Sequence, residues 1–141
     1  MLRISVFAAF ISLVSGTASV SARHVPRPCG TYTSVAADTV LDITEKASQI
    51  LVRPIMGRGP EYPAELRNSR IEGHVRASFV LDTMGRVIRH SVQITEESNR
   101  AFGRSVCEFL TYAKFVPIAV NGRLLTTSIS NMGFMFEFGS R

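Results

Sequence analysis

The hydrophobic pattern changes period several times between Pro63 and Phe138, and each change marks an element. Val75, Ala77, Phe79 and Leu81 alternate with His74, Arg76, Ser78 and Val80, the period of a half-buried strand that opens at Gly73. Just before it, Ala64 to Ser69 suits a short helix. Pro63 stands where a missing N–H costs nothing, Glu65 lies near the positive end, and Arg67 and Arg70 lie near the negative end. Asp82-Thr83-Met84-Gly85 reads as a type I turn with Gly85 left-handed, so the chain reverses into a second strand over Val87 to Ile94. Val87 has odd parity there, whereas Ile88, His90, Val92 and Ile94 share even parity. A β-bulge is therefore predicted, with His90 in or beside the apolar layer.

Ser98 or Asn99 can cap a second helix running to about Lys114, because Phe102, Val106, Phe109, Leu110 and Ala113 recur at helical spacing. Lys114 would sit near its negative end, and Phe115-Val116-Pro117 would leave it extended. A turn at Asn121-Gly122 leads to a last strand, Thr126 to Phe138, with Met132, Phe134, Phe136 and Phe138 on one face. Gly133 within that strand predicts close approach of another backbone. The expected fold class is α+β: a small antiparallel β-sheet of three to four strands with two helices packed on one face. Such a sheet has edges, and an unpaired edge can take an extended peptide.

Gly59-Pro60, Glu61, Tyr62-Pro63, then Ile71-Glu72-Gly73-His74-Val75, then Phe79-Val80-Leu81-Asp82 and Gly85-Arg86-Val87 form a spaced series. With Phe115-x-Pro117 and Asn121-Gly122, this series resembles the TonB C-terminal domain family, the periplasmic end of bacterial energy transducers, over about residues 59–138. The resemblance implies a non-enzymatic module of TonB-dependent transport. Its last strand would take a short segment of an outer-membrane TonB-dependent receptor by strand addition, with an inner-membrane proton-driven motor as a second partner. The partner-binding residues it implies are Gly59, Pro60, Tyr62 and Pro63, with Asn131, Met132, Gly133 and Met135 of the last strand. Gly59 stands where some family members place a Gln that touches the receptor peptide, so that side-chain contact is lost here.

The N-terminus carries the export information. Arg3, the apolar run Ile4 to Val14 and the small residues ending Val20-Ser21-Ala22 have the layout of a secretory signal peptide over residues 1–22, cleaved after Ala22, which gives a periplasmic product. The rival reading is an inner-membrane anchor through residues 4–22, since that stretch has no charge and approaches the ~20 residues that span a bilayer. Ser, Gly, Thr and Ala in its second half favour cleavage. No lipobox precedes Cys29. Residues 23–58 form an N-terminal extension in which one strand is expected within Val40 to Val52. With only Pro26, Pro28 and Pro54 it is no stiff Pro-rich spacer.

Composition narrows the function classes. The chain of 141 residues suffices for one core, and its net charge of +5 is spread along it without a basic block, so nucleic acid is not an expected partner. Cys29 and Cys107 are an even pair in an exported chain, so a disulfide is expected, the alternative being two free thiols with Cys107 a small core residue. His24, His74 and His90 match no zinc spacing, and no cofactor motif is present. Two other functions stay in view: a strand-exchanged structural homodimer, and a small periplasmic hydrolase using His74 or His90.

Overall fold

The computed structural model describes residues 25–42, 54–56 and 59–139. The signal-peptide segment lies outside them, as does most of the stretch in which an N-terminal strand was expected. In chain order the elements are β1 (Arg27–Pro28), β2 (Thr39–Asp42), β3 (Pro54–Met56), α1 (Ala64–Asn68), β4 (Gly73–Leu81), β5 (Gln93–Glu97), α2 (Arg100–Tyr112), β6 (Lys114–Phe115), β7 (Ala119–Val120), β8 (Arg123–Leu124) and β9 (Thr127–Phe136). The main sheet has five strands in the order β1-β5-β4-β9-β2, with β3-β6 and β7-β8 as separate two-stranded ladders. The three central strands are antiparallel, and the class is α+β as the sequence predicts. The two outer strands come from the N-terminal extension, and one of them, β2, pairs with β9 in parallel. That makes the sheet larger than expected, and mixed.

One core holds the domain. Val75, Ala77, Phe79 and Leu81 of β4 meet Phe102, Val106, Phe109 and Leu110 of α2, with Leu66 of α1 and Ile129, Phe134 and Phe136 of β9 in the same cluster. Phe102 stacks on Phe136 at 4.3 Å between ring centroids. Asn99 caps α2, its side chain accepting from the Ala101 N–H at 2.8 Å. Ser98 serves β4 instead, its hydroxyl accepting from the His74 N–H at 2.9 Å. The helix stops at Tyr112, so Lys114 is a strand residue and not a cation at the helix end. At the β4 hairpin Gly85 has φ 75°, and a Cβ there would fall on the Phe115 carbonyl, whose own N–H donates to the Gly85 carbonyl at 2.8 Å.

Besides a one-residue shift between β4 and β5 at Thr95, two phase changes alter the expected register. After the hairpin the chain forms a 3-10 turn over Arg89–Ser91 where a bulge was expected, and β5 begins only at Gln93. The Ser91 hydroxyl explains the detour: it accepts from the Val80 N–H at 2.8 Å and donates to the Ile88 carbonyl at 2.6 Å, replacing a ladder partner. His90 is thereby turned outward and is exposed, not set against the apolar layer. The second change is in β9. Asn131 adopts φ 58°, and the pairing shifts from Phe79↔Ile129 to Ala77↔Met132, one extra residue on β9. Buried positions move from Thr127 and Ile129 to Phe134 and Phe136. Phe138, expected on the same face, lies past the strand and is 41% exposed.

The extension is fastened to the domain at its first strand. Cys29 and Cys107 are bonded, at a sequence separation of 78 and with 5.5 Å between Cα atoms. Arg27 donates two hydrogen bonds to the Glu97 carboxylate, at 2.8 and 3.2 Å. Glu97 is only 10% exposed, so removing Arg27 would strand a largely buried carboxylate. Gly103 of α2 makes this possible, because a Cβ there would lie on the Glu97 carboxylate and against Arg27.

Two outcomes follow. Gly103→Ala gains about 1 kcal/mol of helix propensity yet is expected to lower stability by about 1 to 3 kcal/mol net, since it displaces the ion pair; urea denaturation measures the sign. Reduction of the disulfide is expected to cost about 3 to 5 kcal/mol on the loop-entropy account, read as a lowered urea midpoint in dithiothreitol.

Candidate functional site

The outer edge of β9 is the part of the domain with the chemistry of a docking site. Each residue in a strand points its N–H and C=O to one neighbour, and alternate residues point to opposite sides. His74 spends both of its groups on Ser98, its C=O accepting from the Ser98 N–H at 3.0 Å. The His74↔Met135 pair is therefore not hydrogen-bonded, and Met135 directs its own N–H and C=O away from β4. The alternation gives Gly133 the same direction. At the other end, Val80 donates to Ser91 and accepts from the Ile88 N–H at 2.9 Å. Its partner Ser128 accordingly faces outward too.

This edge has two halves. Over Thr127 to Ser130 it is covered by β2, paired in register Thr39↔Thr127 to Asp42↔Ser130. Past the bulge, no described strand pairs with the side of β9 that carries the outward groups of Gly133 and Met135. The side chains there are those of Gly133 and Met135, the latter 65% exposed. Sequence reasoning placed the backbone edge at this half. It expected close backbone approach at Gly133, whereas no described atom lies within 4 Å of the position its Cβ would take.

The other expected residues divide. Tyr62 comes to the C-terminal end of β9, its ring edge-on to Phe136 at 5.6 Å and to Phe102 at 5.5 Å, and tilted against Phe138 at 5.0 Å. Its hydroxyl donates to the Ile71 carbonyl at 2.6 Å. Pro63 opens α1, its carbonyl accepting from the Arg67 N–H at 2.9 Å. Tyr62 and Pro63 also line a cleft of ≈ 190 Å³ between the two helices with Arg104, Ser105 and Glu108, on the helical side. Gly59, at φ 82°, and Pro60 lead into this turn. Asn131 supplies the bulge: its N–H donates to the Ser78 hydroxyl at 3.1 Å, and Met132 packs against the core. Tyr62, Asn131 and Met132 thus shape β9, while Gly133 and Met135 offer its edge.

Asp38 and Thr126 were not among the expected residues. The Asp38 carboxylate accepts from the Thr126 N–H at 2.9 Å, and the Asp38 N–H donates to the Thr126 carbonyl at 2.8 Å. The β-branched run after Asp38 was the available sign, but its pairing partner is distant in sequence. The histidines do no chemistry together. His74 contacts Glu96 at 2.9 Å on the open face, His90 borders a different cleft beside the disulfide, and no group of three metal-ligating side chains occurs among the described residues.

A sheet edge with outward backbone groups, set on a disulfide-fastened core, has the form of a protein-interaction module. The profile of the family described as Gram-negative bacterial TonB protein C-terminal matches residues 58–138, and the chain belongs to that family, whose members are non-enzymatic interaction modules. Among solved structures, the solution NMR structure of the Pseudomonas aeruginosa TonB C-terminal domain is similar at 22% identity and a TM-score of 0.48, over 71% of this chain and 95% of that one. No curated protein matches the chain.

Burial first, and the Glu72 carboxylate second, raise the Tyr62 phenol above its usual value, so the fold favours the neutral, donating form. That contribution is full below the unfolded value of about 10 and is lost as pH rises through the folded one. Tyr62→Phe is expected to melt below the parent at pH 7, with the gap narrowing as pH rises past about 10, in thermal melts across that range.

Proposed function

We propose that this chain is a periplasmic module of TonB-dependent transport that takes extended segments of outer-membrane receptors as an added strand on the outer edge of β9. Export follows from residues 1–22 acting as a signal peptide cleaved after Ala22. The observation that carries the reading is the direction of the Met135 backbone: its N–H and C=O point away from β4 toward a side with no described strand. A peptide laid there gains main-chain hydrogen bonds of about 0.5 to 1.5 kcal/mol each. Main-chain hydrogen bonds carry most of the affinity, which is modest and depends little on salt. Membership of the TonB family supports the receptor as the source of that peptide.

The geometry also makes the experiment clean. A proline at 135 removes an N–H that faces outward, so no ladder bond with β4 is lost. Met135→Pro is expected to abolish capture of receptor N-terminal peptides in fluorescence anisotropy while keeping the parent's circular dichroism. Met135→Ala is expected to weaken capture by a few-fold at most. A folded Met135→Pro that binds like the parent, or a parent that binds no receptor peptide at high micromolar concentration, defeats strand addition.

A further inference from the structure

The outer edge of β9 already holds a strand, and that strand belongs to the chain itself. β2 lies parallel to β9 over Thr127 to Ser130, on the side to which Ser128 directs its backbone groups. Asp38 begins the pairing with both its N–H and its carboxylate on Thr126, and the Thr39 N–H reaches the same Thr126 carbonyl at 3.3 Å. We infer that β2 is a resident occupant of the acceptor edge, an internal strand that an incoming peptide must displace to use the full length of β9.

Three features favour displacement over permanent pairing. β2 is an outermost strand of the sheet, described over Thr39–Asp42. Val40, on its outer side, is exposed. The disulfide and the Arg27–Glu97 pair hold β1, at the opposite edge, whereas β2 has neither and is joined to the domain by the chain on either side of it. A tethered strand competes at an effective concentration of roughly millimolar, enough to exclude weak intermolecular strands while yielding to better ones. The inference rests on reading β9 as an acceptor edge.

The phase of the ladder supplies the variants. The Thr39 N–H faces β9, so alternation turns the Leu41 N–H the same way and the Val40 N–H outward. Leu41→Pro therefore removes a ladder donor and Val40→Pro does not. The probe is a synthetic peptide of residues 36–44, added in trans to the purified full-length disulfide-bonded protein. Leu41→Pro is expected to bind it about tenfold more tightly than the parent, and Val40→Pro to match the parent. Amide exchange at Ser128 and Ser130 is expected to quicken in Leu41→Pro and slow again when the peptide is added, with Ile129 and Phe134 unchanged. Asp38→Ala, which removes the carboxylate acceptor, gives a milder test in the same direction should the proline unfold the domain. Equal binding by parent and variants, or binding by none, overturns the inference. Because this readout uses no receptor peptide, its failure is separate from that of receptor capture, which Met135→Pro tests.

Discussion

The alternation of β9 is the constraint on which the rest depends. A strand that gives one edge to β4 must give the other to something else, and the residues assigned to each edge also share a face. Thr127 and Ile129, then Phe134 and Phe136, bury their side chains. Ser128, then Gly133 and Met135, carry the outward backbone groups, and their side chains lie outside the core. Packing of α2 against the buried set therefore fixes which amides are offered to a partner. The bulge at Asn131 is needed because the two halves of β9 have opposite parity. Without its extra residue one half would turn its apolar side chains to water.

The N-terminal extension deals with both edges of the sheet. β1 closes the β5 edge and β2 closes part of the β9 edge, so a segment outside the central α+β unit protects the backbone groups that would otherwise pair between molecules. Between them the chain stays in touch with the domain, the Cys29 N–H donating to the Val92 carbonyl at 3.2 Å and the Thr33 N–H to the His90 carbonyl at 2.8 Å. A family resemblance that starts near Gly59 does not describe this part.

What was legible in the sequence was what local chemistry decides. Pro63 starts α1, Asp82 to Gly85 turn the hairpin, Asn121 and Gly122 turn the next, and the Phe102 to Leu110 stripe lies on the sheet because these patterns act over a few residues. The α2 cap was narrowed to two residues and is Asn99. The misses are non-local. Ser91 breaks the β5 phase through a bond to Val80, eleven positions away. β2 is paired by Thr126 to Ser130, and nothing in the sequence near Asp38 announces a parallel partner so far along the chain. The Met135 edge was placed from the strand pattern, but its direction needed the His74 to Ser98 bonds, which only the fold supplies.

The two edges differ in how they are held, and this separates protection from recognition. β1 is short, yet the disulfide at the next residue bonds it covalently to α2 and Arg27 makes a part-buried ion pair, so removing it breaks a bond or strands the Glu97 charge. β2 has backbone hydrogen bonds and one exposed carboxylate cap, the kind of contact that another extended segment reproduces with equal quality. A partner strand exchanging with β2 loses and gains the same type of bond, so the net free energy depends on length: β2 satisfies the edge as far as Ser130, while a longer segment reaches Met135 as well.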